Sequence, residues 1–138
     1  GFEGEHGVEE CSLDKLLHSA DVVSLHVPLT AETLGMVNAQ WLAKFAQPFF
    51  LLNTARGEVV NTEAVLDALD NGQLAGAALD VLEFEKRSLE GLAERPAELQ
   101  RSLEHPLTVL SPHVAGWSEE SYFKLSNVLA DKILDQGA

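Results

Sequence analysis

"LLNTARGEVVN" (residues 51–61) carries an apolar run into a threonine and an arginine, turns on a glycine, and restarts as a helix. Read with the residues before it, the run becomes "PFFLLNTA", the continuous apolar stretch expected of a parallel strand buried on both faces. Arg56 then falls where that strand ends. In open α/β sheets ligands sit in the crevice beyond the carboxyl ends of the strands, so an arginine there is placed to meet an anion. The alternative is a solvated loop arginine, and loop residues at strand ends carry function more often than most.

Outward from this stretch the chain alternates helices with strands. "NTEAVLDALDNG" (61–72) predicts the clearest helix: Asn61 caps it, Val65, Leu66 and Leu69 share a face, and Gly72 lies past its end. "QLAGAALDVL" (73–82) reads as the next strand. On the other side, "SLDKLLHSA" (12–20) has Ser12 as an N-cap and leads into the strand "DVVSLHVP" (21–28), which Pro28 ends. Between the two, Asn38 caps a short helix carrying Trp41, Leu42 and Phe45. The rhythm breaks at residues 86–104, a charged, helix-prone surface insertion in which Pro96 opens a second short helix. "LTVLS" (107–111) restores a strand, "PHVAGWS" is a loop, and "SEESYFKLSNVLADKILD" (118–135) closes as an amphipathic helix capped by Ser118. Strands alternating with helices predict a parallel, doubly wound sheet, because the crossovers lay helices on its faces.

The 138 residues, 46% hydrophobic, make one globular domain. No apolar run approaches the roughly 18 residues of a membrane span, and no secretory leader pattern opens the chain. The one cysteine, Cys11, suits a reducing, cytoplasmic setting. Twenty-two acidic against nine basic residues give a net charge of −13, which disfavours nucleic acid and anionic membranes as partners. Two readings of that charge remain, an ordinary acidic protein or one adapted to high salt, and the charge density favours the second.

Three polar residues stand just past predicted strand ends: Arg56, Glu85 after "AALDVLEF", and His113 after "TVLSP". Parallel strands share a carboxyl edge, so a cation, a carboxylate and an imidazole are expected to converge there. The trio suits carbonyl reduction: His113 as proton donor, Glu85 holding the imidazole protonated, and Arg56 binding a carboxylate and polarising the carbonyl. Of the other histidines, His18 reads as a helix boundary residue and His26 as packing or a cofactor contact, while His6 and His105 lack ligand-spaced partners, so no metal site is expected.

"HVPLTAET" (26–33), "LLNTARGEVVNTEAVLDALDNGQLAGAALDV" (51–81) and "LSPHVAGWS" (110–118) resemble the nucleotide-binding domain of the D-isomer-specific 2-hydroxyacid dehydrogenases, most closely the phosphoglycerate dehydrogenase branch. The likeness runs from about Gly7 to about Asp131, broken by the insertion. It implies that Arg56 is the substrate arginine, Glu85 the partner of the catalytic histidine, and His113 the acid/base. It also implies contacts to NAD, with NADP left open, from Val27, Pro28, Thr33, Thr54, Ala55, Arg56, Asp80 and the loop at Gly116, Asp80 facing the nicotinamide carboxamide. Two departures stand out. Lys86 follows Glu85 where the family often has proline, and no G-x-G-x-x-G occurs in the chain. The expectation is a partial Rossmann-like domain, truncated in its amino-terminal half and without the substrate domain. Such a piece, inactive by itself, would come from an enzyme acting on a D-2-hydroxy acid. Phosphoglycerate, glyoxylate or hydroxypyruvate, and D-lactate are the candidate substrates. A homo-oligomer is expected, and a dinucleotide-sensing module is the alternative of a different class.

Overall fold

The computed structural model describes residues 7–84 and 96–136. Local signals place the elements. Ser12 Oγ accepts the Lys15 N–H at 3.3 Å and opens α1 (Leu13–Ser19), which leads into β1 (Val22–Leu25). Asn38 Oδ1 accepts the Trp41 N–H at 3.0 Å and opens α2 (Ala39–Leu42), followed by β2 (Phe49–Asn53). A short 3-10 turn, Gly57–Val59, precedes α3 (Thr62–Asp70), where Asn61 Oδ1 accepts the Ala64 N–H at 2.8 Å. Gly72, at φ 77°, takes the left-handed conformation that ends a helix at little cost to glycine. Then come β3 (Leu74–Leu79), α4 (Ala97–Glu104), β4 (Thr108–Leu110) and α5 (Glu119–Gln136). Of residues 86–104, expected to form a surface insertion, 86–95 lie outside the described residues, and Pro96 opens α4.

Among the described residues the sheet is four-stranded, wholly parallel, and ordered β1-β2-β3-β4. When spatial order equals chain order, right-handed crossovers return every connecting helix on the same side. One face therefore carries the core. Val23, Leu51, Ala77 and Thr108 pair across it in register, and so do Leu25, Asn53, Leu79 and Leu110. Leu17, Leu42, Val65, Leu66 and Leu69 pack on them from the helices, and Phe45, expected on the second helix, packs from the connection after α2, which ends at Leu42. Phe45 and Phe49 stack with centroids 3.8 Å apart, and Trp41 meets Phe45 edge-on at 4.8 Å, contacts worth roughly 1 kcal/mol each beyond area burial.

The opposite face departs from the expectation of a strand buried on both sides. Along β2, Phe49, Leu51 and Asn53 are buried while Phe50 is 50% exposed and Leu52 half-buried. Among the described residues no helix covers Val22, Phe50, Leu52 and Val109, the last 68% exposed. The Phe50 ring lies over β3 at Gly76, where an added Cβ would sit 2.9 Å from it. β1 is an edge strand. The side chains of α5 from Tyr122 to Asp135 are exposed all round, so that helix packs on nothing among the described residues. No helix of the described residues is long and apolar enough to cross a membrane.

Candidate functional site

The carboxyl ends of the four strands open on one edge, and two buried polar residues there organise the loops beyond them. Asn53, the last residue of β2, is fully buried, 0% exposed, between Leu25 and Leu79 of the flanking strands. Its Oδ1 accepts the Ala55 N–H at 3.1 Å and its Nδ2 donates to the Arg56 carbonyl at 3.0 Å, so one side chain folds the turn back on itself. Arg56 stands out of that turn in extended backbone, its side chain exposed and one guanidinium nitrogen donating to the Ala55 carbonyl at 2.6 Å. Gly57 follows, pressed on the segment after β3. A Cβ at residue 57 would lie 2.0 Å from the Leu82 carbonyl oxygen, so only glycine permits this approach. The same segment is held from its other side by Glu83, whose carboxylate accepts the Thr62 N–H at 3.0 Å at the start of α3. The arginine loop and the segment leading toward Glu85 are thus in backbone contact. Glu85 itself lies outside the described residues.

Asp80, the first residue past β3, is the second organiser and is 4% exposed. Its Oδ1 accepts the Ser111 hydroxyl at 2.6 Å and the Val114 N–H at 2.8 Å, and its Oδ2 accepts the Ala115 N–H at 2.9 Å. Its carbonyl accepts the His113 N–H at 2.9 Å. Burial works to raise its pKa, but the bonds from Ser111, Ala115 and Val114 and the nearness of His113 outweigh burial and hold the carboxyl below its ordinary range. The loop after β4 wraps around this anion, with His113 exposed in the left-handed region at φ 56°. Such a conformation costs a non-glycine residue about 1–2 kcal/mol, which the bonds from both of its flanks offset.

Arg56 and His113 therefore rise from the same edge, after β2 and β4, with Asp80 between them after β3. Two strand spacings, about 10 Å of backbone, separate the two loops, a span that a long arginine side chain and a small molecule can bridge. Past β1, Val27 and Pro28 lie at the same edge. Thr33 knits that loop: its hydroxyl donates to the Pro28 carbonyl at 2.7 Å and accepts the Thr30 N–H at 2.8 Å. Thr54 is exposed at the rim and Ala55 is buried beneath it. Gly116 sits in the histidine loop with no atom within 4 Å of where a Cβ would be. Chemically, the edge offers a guanidinium for an anion and an imidazole for a proton. Among the described residues, no group of three or more His, Cys, Asp and Glu is arranged to hold a metal ion. Sequence reasoning missed Asn53 and the close approach at Gly57. The signal for Asn53 was a polar residue at an inward position of an otherwise apolar strand.

Residues 2–115 match the family described as "D-isomer specific 2-hydroxyacid dehydrogenase, NAD binding domain". The chain is 34% identical over 128 residues to a D-3-phosphoglycerate dehydrogenase of Bacillus subtilis (strain 168), an alignment covering 93% of this chain and 22% of that protein. It is 40% identical over 133 residues to a glyoxylate reductase of Korarchaeum cryptofilum (strain OPF8), covering 96% and 37% respectively. The fold superposes on the NAD-complexed crystal structure of a D-isomer specific 2-hydroxyacid dehydrogenase from Lactobacillus delbrueckii ssp. bulgaricus with a TM-score of 0.78 at 32% identity, covering 93% of this chain and 40% of that one. The chain thus spans well under half the length of these relatives.

Proposed function

Because the chain belongs to the NAD-binding domain family of the D-isomer specific 2-hydroxyacid dehydrogenases, we propose that it carries the substrate arginine and the acid/base histidine of an NAD-dependent oxidoreductase. The reaction interconverts a D-2-hydroxy acid and its 2-oxo acid. The observation that carries this reading is the shared edge: Arg56 and His113 leave parallel strands at the same end, with a buried carboxylate between them. Arg56 binds the substrate carboxylate and draws electron density from the adjacent carbonyl. His113 Nε2 or Nδ1 gives a proton to the carbonyl oxygen in reduction and takes it back in oxidation, with Glu85 favouring the charged imidazole. NAD, when bound, supplies or accepts the hydride.

The residues present fit the nicotinamide end of that cofactor. Val27 and Pro28 offer apolar surface, Thr33 ties down the Pro28 loop, Thr54 and Gly116 are exposed, and the buried Ala55 and Asp80 back the edge from beneath. They do not provide for its pyrophosphate, since no glycine-rich turn at a helix N-terminus occurs in this sequence. The 138-residue chain alone is therefore expected to show no turnover. Phosphoglycerate is our first choice of substrate, with glyoxylate or hydroxypyruvate and D-lactate next, in a cytoplasmic homo-oligomer.

The test uses the whole protein that carries this chain. His113→Asn should lower kcat by about 10²–10⁴-fold, the usual worth of a positioned acid/base, with cofactor binding retained. Arg56→Gln should raise KM for the 2-oxo acid. Unchanged turnover in both variants would sink the assignment, and cofactor binding without turnover on any 2-oxo acid would favour a nucleotide-sensing module.

A further inference from the structure

We propose that Asp80 is a positioning residue: its carboxylate folds the Ser111–Ala115 turn and thereby sets the direction from which His113 enters the site. This rests on the function proposed above for His113, and it assigns Asp80 a different task from a contact to the nicotinamide carboxamide.

A carboxylate offers about four acceptor positions. In Asp80 three are taken by the chain's own donors: the Ser111 hydroxyl and Val114 N–H on Oδ1, and the Ala115 N–H on Oδ2. Its main chain is committed too, the carbonyl to the His113 N–H at 2.9 Å and the N–H to the Asn53 carbonyl at 3.0 Å. The side chain is buried, so at most one lone pair on Oδ2 is left for a ligand.

The turn it grips contains the one left-handed non-glycine residue among the described residues, His113. A strained residue keeps its conformation only where its surroundings over-determine it. Here the carboxylate fixes residue 111 on one side of the histidine and residues 114 and 115 on the other. Asp80 is also bonded to Asn53, the residue that folds the arginine turn, so the two loops share one buried strand-end frame. Losing the carboxylate would let the histidine loop relax while leaving the arginine turn in place.

The experiment compares Asp80→Asn, Asp80→Ala and Ser111→Ala in the whole protein. Asparagine keeps an oxygen for Ser111 and Val114 but sets an amide against the Ala115 N–H. Expected effects on kcat are a few-fold loss for Ser111→Ala, about tenfold for Asp80→Asn and a hundredfold or more for Asp80→Ala. The cofactor Kd should stay within twofold throughout. Hydrogen exchange of the 111–117 segment should accelerate in the same order. A raised cofactor Kd with unchanged exchange would overturn the proposal in favour of a cofactor contact. Lower melting temperature with unchanged kcat per folded molecule would overturn it in favour of a purely structural role. If Asp80→Ala fails to fold, the two milder variants still decide. If the parent protein transfers no hydride, the function fails separately, and the exchange measurement still judges whether Asp80 orders the turn.

Discussion

Asn53 occupies a register position whose cross-strand neighbours are Leu25 and Leu79, where any apolar residue of similar size would pack. What holds a polar residue there is the turn beyond it. Replacing it with alanine leaves the buried Ala55 N–H without its acceptor, so Asn53→Ala should destabilise by about 2–3 kcal/mol, the cost of an unmade buried bond plus a small cavity. Urea melts would read it; a change below half a kilocalorie would show that water replaces the side chain. Asp80 adds a pH signature. Its folded pKa lies below the ordinary carboxyl value of 3.8, so its contribution is fully present above that value and is lost as pH falls through the lower folded one. The gap in melting temperature between the parent chain and Asp80→Asn should therefore be widest above pH 4 and close in more acid solution. A gap independent of pH would mean that the ionised form is not what the turn binds.

Two kinds of contact join α4 to the rest. Leu99 is buried against the domain, and Arg101 reaches α3, donating to Asp67 at 2.9 Å and to Asp70 as well. His105 Nε2 lies 3.2 Å from the same Asp70, whose pKa is lowered chiefly by the Arg101 bond, against an opposing effect of desolvation, with the His105 bond adding to the lowering. These ion pairs are exposed, and exposed pairs contribute little and are screened by salt. Leu99→Ala should accordingly cost about 2–3 kcal/mol at any ionic strength, within the range for buried leucine truncations. Arg101→Ala should matter less, and only at low salt. Chemical denaturation at two salt concentrations distinguishes them; an arginine effect exceeding the leucine effect would reverse the ranking. The connection matters to the site because α4 leads directly into β4. The Thr108 hydroxyl donates to the Ser102 carbonyl, linking the helix to the strand that carries the histidine loop.

A chain of −13 net charge presents an apolar sheet face around Phe50 and Val109 and a bare helix, α5, with Leu125 69% exposed. Apolar surface of this kind seeks cover, and β1, at the edge of the sheet among the described residues, offers a strand edge as well. Charge opposes such association, since at about 0.1 M salt the Debye length of about 10 Å screens the repulsion between two such chains only in part. Raising salt toward molar should strengthen self-association of the 138-residue chain and raise its melting temperature. Light scattering and thermal melts across a sodium chloride series check this. A chain that stays monomeric and equally stable throughout would contradict both the oligomer and the adaptation to salt.

Sequence by itself determined the elements and the family. Ser12, Asn38, Asn61 and Ser118 cap helices within three residues of themselves, and the three motifs of the family resemblance are local strings, so both are legible without knowing what packs on what. The shared edge of Arg56 and His113 also followed from sequence, because parallel strands leave no choice of end. Tertiary structure alone decided the rest. That "PFFLLN" is buried on one face only depends on where the crossover helices fall, and an unbroken apolar run cannot report it. The wiring of the site rests on bonds from Asp80 to residues 31 to 35 positions away, and on a contact between Gly57 and Leu82 that exists only once β2 and β3 are paired. In the sequence the buried asparagine reads as an ordinary polar residue, and the buried aspartate enters only as a cofactor contact that the family resemblance implies. Only the pairing of strands distant in the chain supplies the donors and acceptors that give them their task.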